Sequence, residues 1–173
     1  EMVRDEKAKV LKGIRPLQPW DVIRGQFRGY RDEPGVKADS QTETFVALRL
    51  EINSWRWKGV PFYIRAGKCL PVTATDVIVN LRQPPAIFAG FSPPANYFHF
   101  RVTPDLMIAV GASVKKAGEQ LEGQQVELVI SQQSDAAEMG AYEELLYDAM
   151  CGNSGRFARQ DYVEEAWRLL GDG

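Results

Sequence analysis

A strictly alternating stretch over residues 42–53 constrains the fold of this chain more than any other feature. Its large apolar side chains recur at every second position, and the residues between them are mostly polar or small; the apolar set is Val46, Leu48, Leu50 and Ile52. Successive side chains of a β-strand point to opposite faces of the sheet, so a period of two indicates a strand with one buried face. The other face meets water, which is common in antiparallel sheets.

Further strand patterns follow one another along the chain with short turns between them, and helical patterns occur only at the two ends. Predicted strands cover residues 21–30, 42–53, 60–64, 76–82, 97–102, 106–114 and 125–131, and predicted helices cover residues 3–13, 140–151 and 161–170. A proline-rich surface loop is predicted over residues 83–95. This order predicts an α+β fold with a large, mainly antiparallel β-sheet and helices packed on one face.

Length and composition indicate one globular domain and exclude several classes of function. At 173 residues, of which 45% are hydrophobic, the chain can build a core. We expect one domain, 1–173, with a leading helix in 1–15, the sheet in 21–131 and C-terminal helices in 140–170. A net charge of −2 argues against nucleic acid as the partner. No apolar run approaches the ~20 residues of a membrane helix. Cys69 and Cys151 lack CxxC spacing, which favours reduced thiols in the cytoplasm over a metal site.

The stretch over residues 59–71 combines a predicted strand with two cations. An apolar run over 60–64 lies between Gly59 and Gly67, and Arg65 and Lys68 stand where that strand ends. Side chains at a strand end are well placed for ligand contacts, so an anion site is one interpretation, with Lys68 as the point charge for a phosphate. The alternative is a strand and a turn with solvated cations, which is the usual environment of lysine.

Several motifs, in order along the chain, resemble those of glucose-6-phosphate dehydrogenase, and specifically of its carboxy-terminal domain. They are EKAKVL at 6–11, RGQFRGY at 24–30, SQTETFVALRL at 40–50, WRWKGVPFYIRAGK at 55–68, YEELL at 142–146 and EAWR at 165–168. The resemblance covers nearly the whole chain. It implies a large sheet with helices on one face, the other face being available for dimer contact. The activity it implies is oxidation of glucose 6-phosphate to the lactone with NADP.

The resemblance also implies a set of substrate contacts. Lys68 matches the lysine that approaches the substrate in the family. Five positions later the family usually has a second basic residue, but this chain has Thr73, and Thr103 stands where the family commonly has glutamine. Threonine forms hydrogen bonds without a charge. We therefore predict that the contact at Thr73 is weaker than that of a basic residue or is supplied elsewhere. Thr103 is shorter than glutamine, and we expect it to reach the substrate through a bridging water.

Binding of NADP is expected mainly outside this chain, which has no GxGxxG turn to cradle a pyrophosphate. The one histidine, His99, lies in an alternating strand with no carboxylate nearby in the sequence, so we predict a structural role for it and no catalytic residue here. The resemblance places Arg65, Arg101 and Arg159 at positions that contact a second, structural NADP in some members. Gly111 stands where those members have a basic residue.

These inferences predict a fragment of a glucose-6-phosphate dehydrogenase that lacks the N-terminal NADP-binding domain and is inactive alone. The expected partners are glucose 6-phosphate, the protein's own N-terminal domain, and further copies in a homodimer or homotetramer through the sheet. Two alternatives stay open. One is a purely structural oligomerisation module, and the other is a stand-alone regulatory domain that binds a sugar phosphate.

Overall fold

The chain folds into two compact units. A computed structural model describes residues 2–85, 93–117, 123–132 and 140–171. The first unit comprises Glu1–Leu70 and Ala141–Gly173, and the second comprises Pro71–Gly140. Most of the predicted loop over residues 83–95 lies outside the described residues.

The first unit combines helices with a three-stranded antiparallel sheet of order β1-β2-β3. The strands are β1 (Val22–Gly25), β2 (Phe45–Glu51) and β3 (Pro61–Gly67), and the helices are α1 (Met2–Lys12), α2 (Ala141–Met150) and α3 (Gln160–Leu170). Strand β2 is the alternating stretch, and the helices stand at the two ends of the sequence, as predicted. Antiparallel pairing brings the start of β2 beside the end of β3.

The core of the first unit joins residues from both ends and the middle of the chain. Ile14, Ile52 and Leu169 are all buried and in one cluster, and Ile14 pairs with Ile52 through a β-bridge. Next to Leu169, the Arg168 guanidinium donates to the carbonyl oxygens of Leu11 at 3.1 Å and Ile14 at 3.0 Å. The Leu11 carbonyl also accepts from the N–H of Ile14, so Arg168 adds a second hydrogen bond there and links α3 to the end of α1.

A buried carboxylate fixes the segment between α1 and β1. Asp21 is 4% exposed and accepts hydrogen bonds from both terminal nitrogens of Arg15, at 2.6 and 2.9 Å. The backbone N–H of Gln18 donates to the same carboxylate at 2.9 Å. These bonds, with that from Arg15 the stronger influence, lower the pKa of Asp21 below its usual value. The buried charge is therefore paired and hydrogen-bonded, as a stable buried ion requires.

The predicted strand over residues 21–30 is wrong beyond Gly25. Strand β1 ends at that residue, and the chain then passes through Gly29 into a 3-10 turn over Tyr30–Asp32. Gly29 has a φ of 89°, a left-handed conformation that glycine adopts without a steric penalty. The turn-forming glycine therefore outweighs the strand preference of the β-branched and aromatic residues around it.

The second unit is a four-stranded antiparallel sheet in which sequence neighbours are also spatial neighbours. Its strands are β4 (Thr75–Asn80), β5 (Tyr97–Thr103), β6 (Leu106–Lys115) and β7 (Gly123–Gln132), in that order. The predicted α+β class with mainly antiparallel strands is confirmed. Hydrogen bonding divides the strands between two sheets, because β3 and β4 do not pair.

The two faces of the second sheet differ in chemistry. One face carries two cross-strand rows, which are Val77, Phe100, Ile108 and Ile130, and Val79, Phe98, Val110 and Leu128. We call these eight residues the apolar face. It is open, since Leu128 and Ile130 are 66% and 65% exposed. The opposite face carries most of the polar side chains of the sheet, among them Asp76, Asn80, Tyr97, His99, Arg101, Thr103 and Glu127.

Candidate functional site

The end of β3 holds Lys68 in a fixed backbone position. Gly67 pairs with Phe45 of β2, and the N–H of Lys68 donates to the carbonyl oxygen of Thr44 at 2.8 Å. A Cβ atom on Gly67 would lie 2.9 Å from Cδ2 of Phe45 and 3.2 Å from that same carbonyl oxygen. A side chain at position 67 would therefore require the Phe45 ring to move, which favours glycine directly before the lysine.

The Lys68 ammonium is available for a ligand. Its side chain is exposed, and among the described residues it makes neither an ion pair nor a hydrogen bond. The next residue, Cys69, has a φ of 53°, which is unusual for a residue other than glycine and turns the chain sharply away from β3. Arg65, three residues earlier, is also exposed and without a side-chain partner in the part of the chain that the structure describes. The strand therefore ends in two cations that no carboxylate neutralises there.

The two threonines of the predicted substrate site lie in the second unit. The hydroxyl group of Thr103, at the end of β5, donates to the hydroxyl of Thr75 at 3.1 Å across the β4–β5 pair. Thr73 precedes β4, and its exposed side chain has no hydrogen bond among the described residues. Both hydroxyls keep the capacity for a further hydrogen bond, and neither brings a charge.

Asp76 forms a cross-strand cluster with His99 and Arg101 that sequence reasoning missed. One of its oxygens lies 2.8 Å from Nε2 of His99 and accepts a hydrogen bond from Nε of Arg101 at 3.0 Å. These contacts, the one with His99 first, lower the pKa of Asp76 below its usual value. The lone histidine thus has a carboxylate partner that is distant in the sequence. The sequence separation of 23 residues hid it, since only the β4–β5 pairing brings the two together.

Arg159 is bound to carboxylates on two helices. Its guanidinium donates to both oxygens of Asp161 at 2.8 Å and to Asp5 of α1 at 2.7 Å. The pKa of Asp161 is lowered, mainly by its hydrogen bonds with Arg159. Helix α3 begins at Gln160, one residue before its predicted start at 161, with Arg159 at the N-cap. Two of the three arginines suggested for a second NADP, Arg101 and Arg159, therefore already bind carboxylates.

The residue that stands in place of an expected basic side chain, Gly111, is covered by an aromatic ring. Gly111 lies between Tyr97 and Glu127 in one row across three strands. The Tyr97 hydroxyl donates to the Glu127 carboxylate, and this bond raises the pKa of Tyr97 above its usual value. A Cβ atom on Gly111 would lie 2.1 Å from Cε1 of the ring. A larger residue at this position would thus require the tyrosine to move.

Comparison with known proteins identifies the family. Residues 1–172 match the family described as glucose-6-phosphate dehydrogenase, C-terminal domain. The chain belongs to this family. The resemblance inferred from the motifs is thereby confirmed. Glucose-6-phosphate 1-dehydrogenase of Aggregatibacter actinomycetemcomitans is 39% identical over 97% of the chain, and glucose-6-phosphate 1-dehydrogenase 1 of Mycobacterium tuberculosis H37Rv is 40% identical over 97%.

Solved structures of glucose-6-phosphate dehydrogenases share the fold. The enzyme from Mycobacterium avium superposes with a TM-score of 0.85 at 39% identity, over 96% of this chain and 36% of that one. A glucose-6-phosphate dehydrogenase in complex with its substrate glucose-6-phosphate gives a TM-score of 0.80 at 33% identity, over 96% and 37%. The chain spans little more than a third of the length of its relatives, with 37% of the Aggregatibacter enzyme covered. No helix among the described residues is long and apolar enough to cross a membrane.

Proposed function

We propose that the chain is the carboxy-terminal domain of an NADP-dependent glucose-6-phosphate dehydrogenase and supplies part of its substrate pocket. The observation that carries the proposal is the Lys68 ammonium, which has no partner among the described residues and lies on a strand end that Gly67 and Thr44 fix, in a chain whose residues 1–172 match the family. The related enzyme solved with glucose-6-phosphate supports a sugar phosphate as the ligand. One relative, from Arabidopsis thaliana, is named cytoplasmic, and we propose the same compartment here.

Substrate binding and orientation are the contributions of this chain to the reaction. Lys68 would hold the anionic sugar phosphate as a point charge, and Thr73 and Thr103 would offer hydroxyl groups to its oxygens. Holding a substrate in reach of its reaction partner removes much of the entropic barrier to reaction. NADP, when bound, accepts the hydride from the sugar. We propose that its site and the general base belong to the rest of the full-length enzyme, since this sequence has no GxGxxG turn.

A second, structural NADP is not part of this proposal. Arg101 and Arg159 bind carboxylates, and the ring of Tyr97 occupies the space beside Gly111. A phosphate group would have to displace carboxylates from both arginines, so these residues do not fit a ready dinucleotide site. Their contacts favour structural roles.

The full-length enzyme is expected to form NADPH from glucose 6-phosphate, and the purified 173-residue chain is expected to form none. The reason is that proton abstraction and hydride transfer require groups that the chain does not supply. Absorbance of NADPH in matched assays of the two proteins measures the difference. NADPH formation by the pure chain would contradict the proposal that the NADP site and the general base belong to the rest of the enzyme. An inactive full-length protein would favour the regulatory or structural alternative.

We further propose that the enzyme is a homodimer or homotetramer that pairs through the second sheet. The support is the apolar face, where Leu128 and Ile130 are about two-thirds exposed. Exposed apolar patches of this kind commonly mark interaction sites, because burying them removes apolar surface from water. The competing arrangement is that the protein's own N-terminal domain covers this face.

Charge on the apolar face is expected to dissociate the assembly. Ile130→Glu would place a carboxylate in the interface, and its burial without a partner is costly, so the molar mass should fall towards that of the monomer. The matched control is Ser131→Glu, which puts the same charge one residue along β7 on the opposite face. Light scattering coupled to size exclusion gives the mass, and melting temperature reports folding. An unchanged mass with a lowered melting temperature would show that the protein's own chain covers this face.

A further inference from the structure

We propose that Thr44 is a positioning residue for Lys68, and through it for the sugar phosphate; this inference rests on the proposed function. Thr44 precedes β2 and lies between the ends of the two strands beside it. Its N–H donates to the carbonyl oxygen of Gly25 at 2.9 Å, its hydroxyl accepts from the N–H of Phe27 at 2.8 Å, and its carbonyl oxygen accepts from the N–H of Lys68 at 2.8 Å. One residue therefore links the end of β1 to the lysine.

The bond from Lys68 is the last one that holds the lysine backbone to the sheet. The paired register of β2 and β3 ends at Phe45 and Gly67, and Cys69 then turns away with its φ of 53°. A lysine side chain has several rotatable bonds, so the backbone position sets the region of space that the ammonium can reach. The position of the Thr44 carbonyl group thus decides where the Lys68 side chain begins.

The Thr44 hydroxyl determines where that carbonyl group lies. Its partner, the N–H of Phe27, belongs to the turn that follows β1, and the contact is partly buried. The side-chain amide of Gln26 supports the same segment by donating to the carbonyl oxygens of Ser40 and Thr42, both at 2.9 Å. Loss of the hydroxyl would leave the Phe27 N–H without its acceptor, and such a group shifts or admits water to recover a hydrogen bond. The carbonyl group that holds Lys68 would shift with it.

Thr44→Val and Thr44→Ser in the full-length enzyme separate the hydroxyl from the shape of the side chain. Valine keeps the branched shape and loses the acceptor, whereas serine keeps the acceptor. We expect Thr44→Val to lower kcat/KM for glucose 6-phosphate about tenfold, because small errors in substrate position are costly, while KM for NADP stays unchanged. Thr44→Ser is expected to restore most of the loss. Thr42→Val is the control, since the Thr42 hydroxyl has no hydrogen bond among the described residues.

A double variant tests whether Thr44 acts through Lys68. In a Lys68→Ala background, Thr44→Val should lower kcat/KM for glucose 6-phosphate little further. The reason is that the effects of two residues that act as a unit do not add. An equal loss in both backgrounds, with a lowered melting temperature, would reduce Thr44 to a purely structural role. Wild-type kinetics for Thr44→Val would also overturn the inference while leaving the proposed function intact. An inactive wild-type enzyme would instead contradict the proposed function itself.

Discussion

Replacement of Gly111 by alanine is expected to lower the free energy of unfolding by about 2 kcal/mol, the typical cost of forcing an extra carbon into a packed site. The new Cβ would lie 2.1 Å from Cε1 and 2.4 Å from Cζ of Tyr97, far inside van der Waals contact. The ring can escape only by leaving its place over the strand, which breaks the hydrogen bond from its hydroxyl to Glu127. Urea denaturation of the 173-residue chain measures the change.

The Tyr97→Ala background provides the control for this prediction. Removal of the ring opens the space beside Gly111. In this background Gly111→Ala should therefore lower the free energy of unfolding by at least about 1 kcal/mol less than it does in the wild type, as expected for residues in direct contact. Equal costs in the two backgrounds would mean that the ring does not cover Gly111. A Gly111→Ala variant as stable as the wild type would contradict the packing of this row altogether.

Local patterns were sufficient to predict most elements of the fold. The period-two alternation located β2, and the change to helical periodicity located α2 and α3 near the C-terminus. The prediction failed after Gly25, where β1 ends and the chain passes into a turn that includes the left-handed Gly29. The division of the strands into two sheets could not be predicted either, because strand pairing depends on contacts between distant residues that local patterns do not encode.

The candidate site was predictable only in part, for the same reason. Lys68 stood out because a cation follows a glycine at a strand end. Asp76 did not stand out, since only the pairing of β4 with β5 brings it into contact with His99 and Arg101. Thr44 looked like an ordinary residue of the alternating stretch, although its three hydrogen bonds reach two other strands. Cross-strand partners of this kind carry no signal in a single sequence.

Replacement of Lys68 by alanine in the full-length enzyme is expected to lower kcat/KM for glucose 6-phosphate about a hundredfold. Hydrogen bonds to charged groups contribute about 1.5–3 kcal/mol, which corresponds to roughly 10- to 150-fold in rate or affinity. The value should lie near the upper end, because the proposed role of Lys68 is to hold the charged phosphate directly. Folding should be unaffected, since the Lys68 side chain has no partner among the described residues to lose.

Steady-state kinetics of Lys68→Ala decide whether this strand-end lysine binds the sugar phosphate. Lys58→Ala is the matched control, because Lys58 is exposed, lies ten residues earlier and makes no ion pair among the described residues. We expect a loss of about a hundredfold in kcat/KM for Lys68→Ala, with Lys58→Ala close to the wild type. Wild-type kinetics for both variants would contradict it and leave the domain with a structural or oligomerisation role.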